Sequence, residues 1–526
     1  MDPLAQELEE RPEPDELRFA LKKPVGKAPE RLELDRVVVA PSQLTDPLFD
    51  PHPLRFEQER SCAAVRERIL HLREPCLVVR GRVEDCANLT EQKGEIVRHR
   101  CPTSIEGLPP SDHGPVGLSS VTRRPSRRVV WISVLAAACA LATSVPAPAA
   151  LPGDLTRALT VRGVSWQATG ALVLDLEHGG LVYTRHANRP LRPASNEKLV
   201  VALAALDRLG PAARIPTRVL GRGSVSESTW RGALILKGYG DPTLTGSDLA
   251  VLARRVRLSG IGTVTGKVLA DETYFDARRV APGWKASFYK EECPPLSALV
   301  VDEAKVRGRT VGTPALAAAR AFRSALVRAG VRVLRGAGVG AAGENDALVS
   351  QVLSPSTARL VRQMNRESDN FIAEMLLKRL GARVLGRGAT AAGASVALDV
   401  LRARGVPLAG VRLADGSGLS RYDRLTARAV AAILITGWSD PRLRRPFLNS
   451  LPLAGVNGTL EDRLRSPPAR GFVRAKTGTT SSASSLSGFV GTRYVFSVLQ
   501  NGAPIPWLSA RQGQDRFVQI LASRAA

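Results

Sequence analysis

Pro193-Ala194-Ser195-Asn196-Glu197-Lys198-Leu199 opens a segment in which Leu199, Val200, Leu203, Leu206 and Leu209 recur at helical spacing until Gly210-Pro211 supplies a stop. The spacing predicts a mostly buried helix over residues 195–209. Positions three apart share a helix face, so the Ser195 hydroxyl and the Lys198 amine come within hydrogen-bond reach while Glu197 points elsewhere. The free N–H groups and positive dipole end of a helix start favour negative charge developing at Ser195. That is the arrangement of a nucleophile and its base. Spacing alone proves little, because Ser287-Phe288-Tyr289-Lys290 repeats it among Pro282, Gly283, Pro294 and Pro295, with no helical run to hold it. The rest of the chain has to decide.

At 526 residues the chain is long enough for two or three domains with their own cores. Its six cysteines contain no C-x-x-C pair, which disfavours zinc sites and a disulfide framework. All six histidines lie at or before residue 186, with His178 in a Gly179-Gly180 turn and His186 without a supporting partner. A serine–histidine triad around Ser195 is therefore poorly supplied. The formal net charge is +25, and its positive excess belongs to the part after residue 120, the first 120 residues being net acidic. Such a surface suits anionic cell-envelope polymers. Only eight of those later cations are lysine, and no basic run is interleaved with aromatic residues, so nucleic acid is not an expected partner.

Residues 1–120 mix acidic and proline-rich stretches and receive no function; they read as an extension produced by gene annotation. Arg123-Arg124-Pro125-Ser126-Arg127-Arg128, the apolar run 129–143 and Ser144-Val145-Pro146-Ala147-Pro148-Ala149-Ala150 have the parts of a secretory signal. The expected location is extracytoplasmic, cleaved after Ala149 or, if uncleaved, anchored by that run. Strands are predicted at 171–176 and 181–185, forming a hairpin that delivers the chain to the Ser195 helix. Residues 212–350 read as a small inserted α/β domain, with helices at 248–258 and 314–329. Turn-rich 238–244 and 282–295 are placed as rims of a cleft. Residues 151–211 and 351–526 form the main domain, with helices at 357–365, 371–380, 389–404 and 426–438, strands at 472–475, 486–490 and 494–499, and a last helix at 512–523.

Three motifs then stand in order: Ser195-x-x-Lys198, Ser368-Asp369-Asn370 between two helices, and Lys476-Thr477-Gly478 near the C-terminus. The triple is that of penicillin-binding proteins and active-site serine β-lactamases. Each is weak alone; together, with no usable histidine, they favour catalysis. Asp415-Gly416-Ser417-Gly418-Leu419-Ser420-Arg421, Leu451-Pro452-x-Ala454-Gly455-x-x-Gly458-Thr459-Leu460, Gly240-Asp241-Pro242-Thr243-Leu244 and Ala281-Pro282-Gly283-Trp284 narrow the likeness. The chain resembles, over about residues 155–520, the low-molecular-weight class C penicillin-binding proteins, the D-alanyl-D-alanine carboxypeptidase/endopeptidases of peptidase family S13. It departs from relatives that carry a further β-rich domain in the insertion, because the segment after Val301-Asp302-Glu303 reaches the next helix quickly.

The resemblance implies a fold of the penicillin-binding protein/serine β-lactamase type, α/β (α+β), with an antiparallel sheet, a helical cluster and a small inserted domain. It also implies a serine acyl-enzyme formed on peptidoglycan stem peptides and on β-lactams. In that reading Ser195 is the nucleophile and Lys198 its base, its pKa pushed down by partial burial and by a nearby positive Lys476. Ser368 relays a proton to the leaving amine, and Asn370 holds the substrate amide and orients Lys198. Lys476, Thr477 and Thr479 bind the terminal carboxylate, the Ser195 and Thr479 N–H groups form an oxyanion hole, Gly478 completes the motif, and Leu419 and Arg421 line the pocket. No metal or organic cofactor is implied. A β-lactamase is a weaker alternative, since E-x-x-x-N occurs only at Glu84–Asn88, before the signal-like run. A silent penicillin-binding wall module is weaker still, since every motif residue is present.

Overall fold

The computed structural model describes residues 150–526. The acidic N-terminal stretch and the signal-like run 121–149 lie outside the described residues, and among those described no single helix is long and apolar enough to cross a membrane.

A five-stranded antiparallel sheet joins the two ends of this region, in the order Val473–Thr480, Ala483–Val490, Tyr494–Asn501, Thr169–Asp175, Gly180–Arg185. Thr169 lies opposite Gln500 and Asp175 opposite Tyr494, so the first two strands complete a sheet whose other three come from the last hundred residues. Successive residues of a strand face opposite ways. Leu172 and Leu174 accordingly enter the core with the helix Lys198–Arg208, whereas Ala171 and Val173 pack under the helices Ala150–Leu159 and Trp507–Ala525. Covered on both faces, Thr169–Asp175 reads as a continuous apolar run from Ala171 to Leu174.

The helix Lys198–Arg208 runs through the main core, with Leu199, Val200, Leu203 and Leu206 at most 1 % exposed. Burying three such leucines contributes on the order of 6 kcal/mol, which offsets the cost of carrying Lys198 inside on the same helix. Around it pack Thr357–Arg366, Asn370–Leu385, Thr390–Ala403, Ala427–Ser439 and Pro441–Ser450.

The insertion has its own sheet, ordered Ala337–Val339, Val268–Asp271, Thr229–Gly238, Pro216–Ser226, Ala347–Leu353. Val268–Asp271 pairs in parallel with both neighbours, the other pairs of that order are antiparallel, and two short strands, Thr263–Val264 and Arg332–Val333, extend the sheet beside Thr229–Gly238 in parallel. The helices Gly246–Leu258 and Pro314–Arg328 cover it through a separate core of Leu249, Leu252, Phe322 and Leu326. Between Val301 and that second helix stand only the turn Asp302–Ala304 and a two-stranded hairpin at Lys305–Val306 and Arg309–Thr310; no further β-rich unit intervenes. Phe275, Cys293, Leu296 and Ala298 from the insertion pack on Phe371 and Met375, and this seam brings the 282–295 segment up to the second motif.

Candidate active site

The chain enters the nucleophile segment through Ala194, whose φ of 48° lies in the left-handed region. A 3₁₀ turn, Ala194–Glu197, follows and passes directly into the helix at Lys198. The turn is held from two sides. Asn196 Nδ2 donates to the Lys476 carbonyl at 3.0 Å, and Ser485 Oγ donates to the Pro193 carbonyl at 2.7 Å. Gly418, at φ 84°, fits the other flank; a Cβ there would stand 1.9 Å from the Ala194 carbonyl oxygen.

Lys198 is fully buried and donates to Ser195 Oγ at 2.9 Å, Asn370 Oδ1 at 2.7 Å and the Ser417 carbonyl at 2.8 Å. All three hydrogens of an ammonium are thus placed, and every acceptor is neutral. Burial drives its pKa down to about 8, against the pull of Asp415, Asp369, Glu374 and Cys293. Burial, complete rather than partial, is the first cause, and the expected repulsion between the two lysines shows on Lys476. Lys476 is itself pushed far below the ordinary lysine value, first by burial and then by the charge of Lys198.

Ser368 sits at φ 58°, and Asp369 caps the helix Asn370–Leu385 by accepting from the Ile372 N–H at 2.8 Å. The capping turn puts the Ser368 hydroxyl in reach of Lys476 Nζ, 3.0 Å away, and leaves Asn370 facing Lys198. Asn370 Nδ2 in turn donates to the Glu292 carbonyl at 3.0 Å, which fixes its amide orientation. The five residues Ser195, Lys198, Ser368, Asn370 and Lys476 are therefore linked in two hydrogen-bonded groups that meet at the turn.

Lys476-Thr477-Gly478-Thr479 lies within the strand Val473–Thr480 rather than after it, and that strand is the edge of the sheet. Gly478 is where the strand and the turn touch: a Cβ there would meet Ser485 Oγ at 2.2 Å and both the Pro193 carbonyl oxygen and the Ser195 nitrogen at 3.0 Å. Glycine is what allows the strand backbone to lie against the nucleophile's N–H. Lys476 Nζ also donates to the Thr477 carbonyl, and the Thr477 hydroxyl is bonded to that of Thr459 at 2.7 Å. The Thr479 hydroxyl accepts from Arg511 at 3.1 Å. Leu419 is half-buried on the 415–420 loop, and Arg421, exposed, gives its guanidinium to the Tyr422 hydroxyl rather than to any of the five.

Behind Lys198 the 415–420 loop is shaped by buried carboxylates. Glu374 Oε1 accepts from the Gly416 and Ser417 N–H groups at 2.9 and 2.8 Å. Asp415 accepts from the Trp284 indole at 2.8 Å and from the Gly418 and Ser420 N–H groups. Burial, with Asp415 next, raises Glu374 to about 8 and holds Glu197 and Asp423 well above the ordinary carboxyl range. This loop aims the Ser417 carbonyl at Lys198. The motif around Ser417, the Thr459 segment and Trp284 were visible as family marks without a role, and Arg511 carried no signal at all. On the other side, a cleft of about 500 Å³ runs from Pro242–Thr245 and Glu303 to Arg359 and Asp369.

The family model described as D-Ala-D-Ala carboxypeptidase 3 (S13) matches residues 154–311 and 304–524. A D-alanyl-D-alanine carboxypeptidase of an Actinomadura species is 30% identical in a 437-residue alignment that covers 66% of this chain and 80% of that protein. The carboxypeptidase DacB of Mycolicibacterium smegmatis is 30% identical over 398 residues, 68% of this chain and 84% of its own length. The crystal structure of penicillin binding protein 4 from Haemophilus influenzae superposes with a TM-score of 0.64 at 22% identity, covering 71% of this chain and 98% of that one. Its likeness concerns the fold.

Proposed function

The chain belongs to the S13 family of D-Ala-D-Ala carboxypeptidases, serine-type peptidases, and from that premise we propose that Ser195 is acylated by the penultimate D-alanine of peptidoglycan stem peptides. The observation that carries the assignment is the 2.9 Å contact between Lys198 Nζ and Ser195 Oγ, made by a buried amine whose other acceptors are also uncharged.

As the free amine, Lys198 takes the proton of Ser195 while Oγ forms a bond to the carbonyl carbon of the D-Ala–D-Ala peptide. The oxyanion that develops is met by the N–H groups of Ser195 and Thr479, on the two sides of the Gly478 contact. The C–N bond breaks as the Ser368 hydroxyl relays to the leaving nitrogen the proton that Lys198 took from Ser195, which leaves Lys198 a free amine once more; Lys476, bonded to Ser368, holds that hydroxyl in place. Water then hydrolyses the ester, with Lys198 again as base. A β-lactam follows the same first step, but its leaving nitrogen stays tethered. The first residues of the Val473–Thr480 strand are bonded on their outer side to Pro452–Ala454, and the edge beyond Ala475 supports an extended peptide lying alongside it, with main-chain hydrogen bonds supplying affinity. The peptide's entry past Leu419 and Arg421 belongs to this reading too. We place the enzyme outside the cytoplasm, where that substrate lies, held near anionic envelope polymers by its positive charge; digestion by protease added to intact spheroplasts tests this, and a protein protected from that protease overturns it.

The decisive experiment gives the protein a peptidoglycan pentapeptide and a fluorescent penicillin in parallel. D-alanine release together with a covalent label on Ser195 is expected, and Ser195→Ala loses both by about 10³-fold or more. Fast antibiotic hydrolysis without peptide turnover would instead make it a β-lactamase, and labelling without either reaction a silent binding module.

A further inference from the structure

Three groups were expected to hold the substrate's terminal carboxylate: Lys476, Thr477 and Thr479. Two of them are already engaged. Lys476 Nζ serves Ser368 and the Thr477 carbonyl, and the Thr477 hydroxyl is tied to Thr459. Thr479 remains, and among the described residues the only side chain bonded to its hydroxyl is Arg511, 3.1 Å away on the helix that covers the outer face of the sheet.

Arg511 is an unusual cation. Among the described residues no carboxylate lies in ion-pair distance of it; Asp515, one turn further along the same helix, is held by Arg463 at 2.7 Å. Its Nε is buried without an acceptor. The guanidinium lies over the Trp507 ring, 4.6 Å from its centroid, which fixes its plane. A guanidinium presents its N–H groups as a rigid fork that matches a carboxylate, and it stays charged where a buried lysine does not. Lys476, depressed by burial and by Lys198, is a poor source of standing positive charge. A preset guanidinium without an ion-pair partner thus stands at the hydroxyl that ends the motif, one residue before the end of its strand.

We propose that Arg511, with Thr479, is the anchor for the free carboxylate on the leaving side of the scissile bond. Its place beyond the strand sets the substrate's register: the carboxylate at Thr479 puts the preceding carbonyl over Ser195. The inference rests on Ser195 being the acylated serine. It makes the enzyme selective for a leaving group that carries a free acid, whether the terminal D-alanine of a pentapeptide or the D-centre of a cross-linking diamino acid.

The test compares acylation by benzylpenicillin with acylation by its methyl ester, and release of D-alanine with release of D-alaninamide from the matched pentapeptides. Each acid/neutral ratio is taken within one protein, so a reduced folded fraction cancels. Arg511→Ala is expected to shrink both ratios by about ten- to hundredfold, the range for a lost charged hydrogen bond. Arg511→Gln, which can still bond Thr479, shrinks them similarly, and Arg511→Lys keeps part of the preference. Ratios unchanged in Arg511→Ala and Arg511→Gln, in a protein whose Ser195 is still labelled, overturn the anchor and leave the nucleophile assignment standing. A wild-type protein that neither label nor peptide acylates brings down both.

Discussion

Two lysines 180 residues apart in sequence, Lys198 and Lys378, are both buried to nothing, and they do opposite things. Lys378 lies on the helix Asn370–Leu385 and is paired with the Asp276 carboxylate from the insertion, beside the Phe275 ring. Burial pushes its pKa down, and Asp276 pulls it back. Lys198 also meets that helix, at Asn370, but every atom it touches is neutral. The carboxyl groups nearby pull on the amine only through space, its three hydrogen-bond acceptors being neutral, while Glu374 and Asp415 accept from N–H groups of the 415–420 loop. A buried amine next to a carboxylate is a structural cation; one surrounded by a hydroxyl, an amide oxygen and a carbonyl is a base held ready. Burial alone does not separate the two. The partner does.

The sharpest way to break this comparison is to replace Lys198. Lys198→Met removes the base and is expected to slow acylation by penicillin by about 10²- to 10⁴-fold, the range for a lost general base. Lys198→Arg does not rescue it, because a guanidinium cannot give up its proton at working pH. Stability in denaturant is expected to stay equal or rise, since a buried amine without an anionic partner is replaced by an apolar chain of similar length. Acylation kinetics by stopped flow and a urea melt check the two halves. A rapid Lys198→Arg enzyme would refute the role.

A gentler test uses pH. With Lys198 at about 8, the amine is protonated and silent below that value and free above it. The acylation rate constant is therefore expected to rise about tenfold per pH unit up to roughly pH 8 and then level off. The same shift has a stability sign. A lysine of ordinary pKa in the unfolded chain binds a proton between about 8 and 10.5 that the folded protein does not. Folding is thus penalised in full below pH 8, and the Lys198 contribution relaxes as pH climbs toward 10.5. Lys198→Met should lose that rise, and a flat acylation profile between pH 6 and 8 would contradict the assignment.

How far the residues announced this arrangement depends on what each feature rests on. The Ser195–Lys198 pair and its helix were legible because apolar residues at i, i+3 and i+4 report burial directly. That the helix opens as a 3₁₀ turn was not, because it follows from the left-handed Ala194, and alanine gives no hint of that conformation. Lys476-Thr477-Gly478 read as the stretch after a strand, being polar and glycine-containing; it is part of the strand because an edge needs no apolar alternation on its open side. The helix Pro441–Ser450 was missed since Pro446 lies inside it, although Asp440 and Pro441 form an ordinary capped start. The Ser417 carbonyl is backbone, so no residue type marks it. Arg511 fell one residue before the predicted last helix, which begins at Trp507. Both strand pairing across more than 300 residues and the Asp276–Lys378 pair are products of topology, which local patterns do not contain.

The smallest effect on catalysis, and the one that completes the contrast, is expected from Lys378. Lys378→Met keeps the volume but leaves the half-exposed Asp276 without its cation, a loss of about 1–2 kcal/mol in a denaturant melt. Adding Asp276→Asn should recover much of it, since both charges are then gone and a neutral amide can still be solvated at that exposure. Acylation by penicillin should change by no more than about threefold, because Asn370 and Glu374, the residues of this helix that serve Lys198, keep their own contacts. The outcome to look for is the crossing of the two series: Lys198→Met costs rate and not stability, Lys378→Met stability and not rate. If Lys378→Met instead slows acylation as much as Lys198→Met, the helix transmits strain from the seam to Asn370, and the two buried lysines belong to one device rather than two.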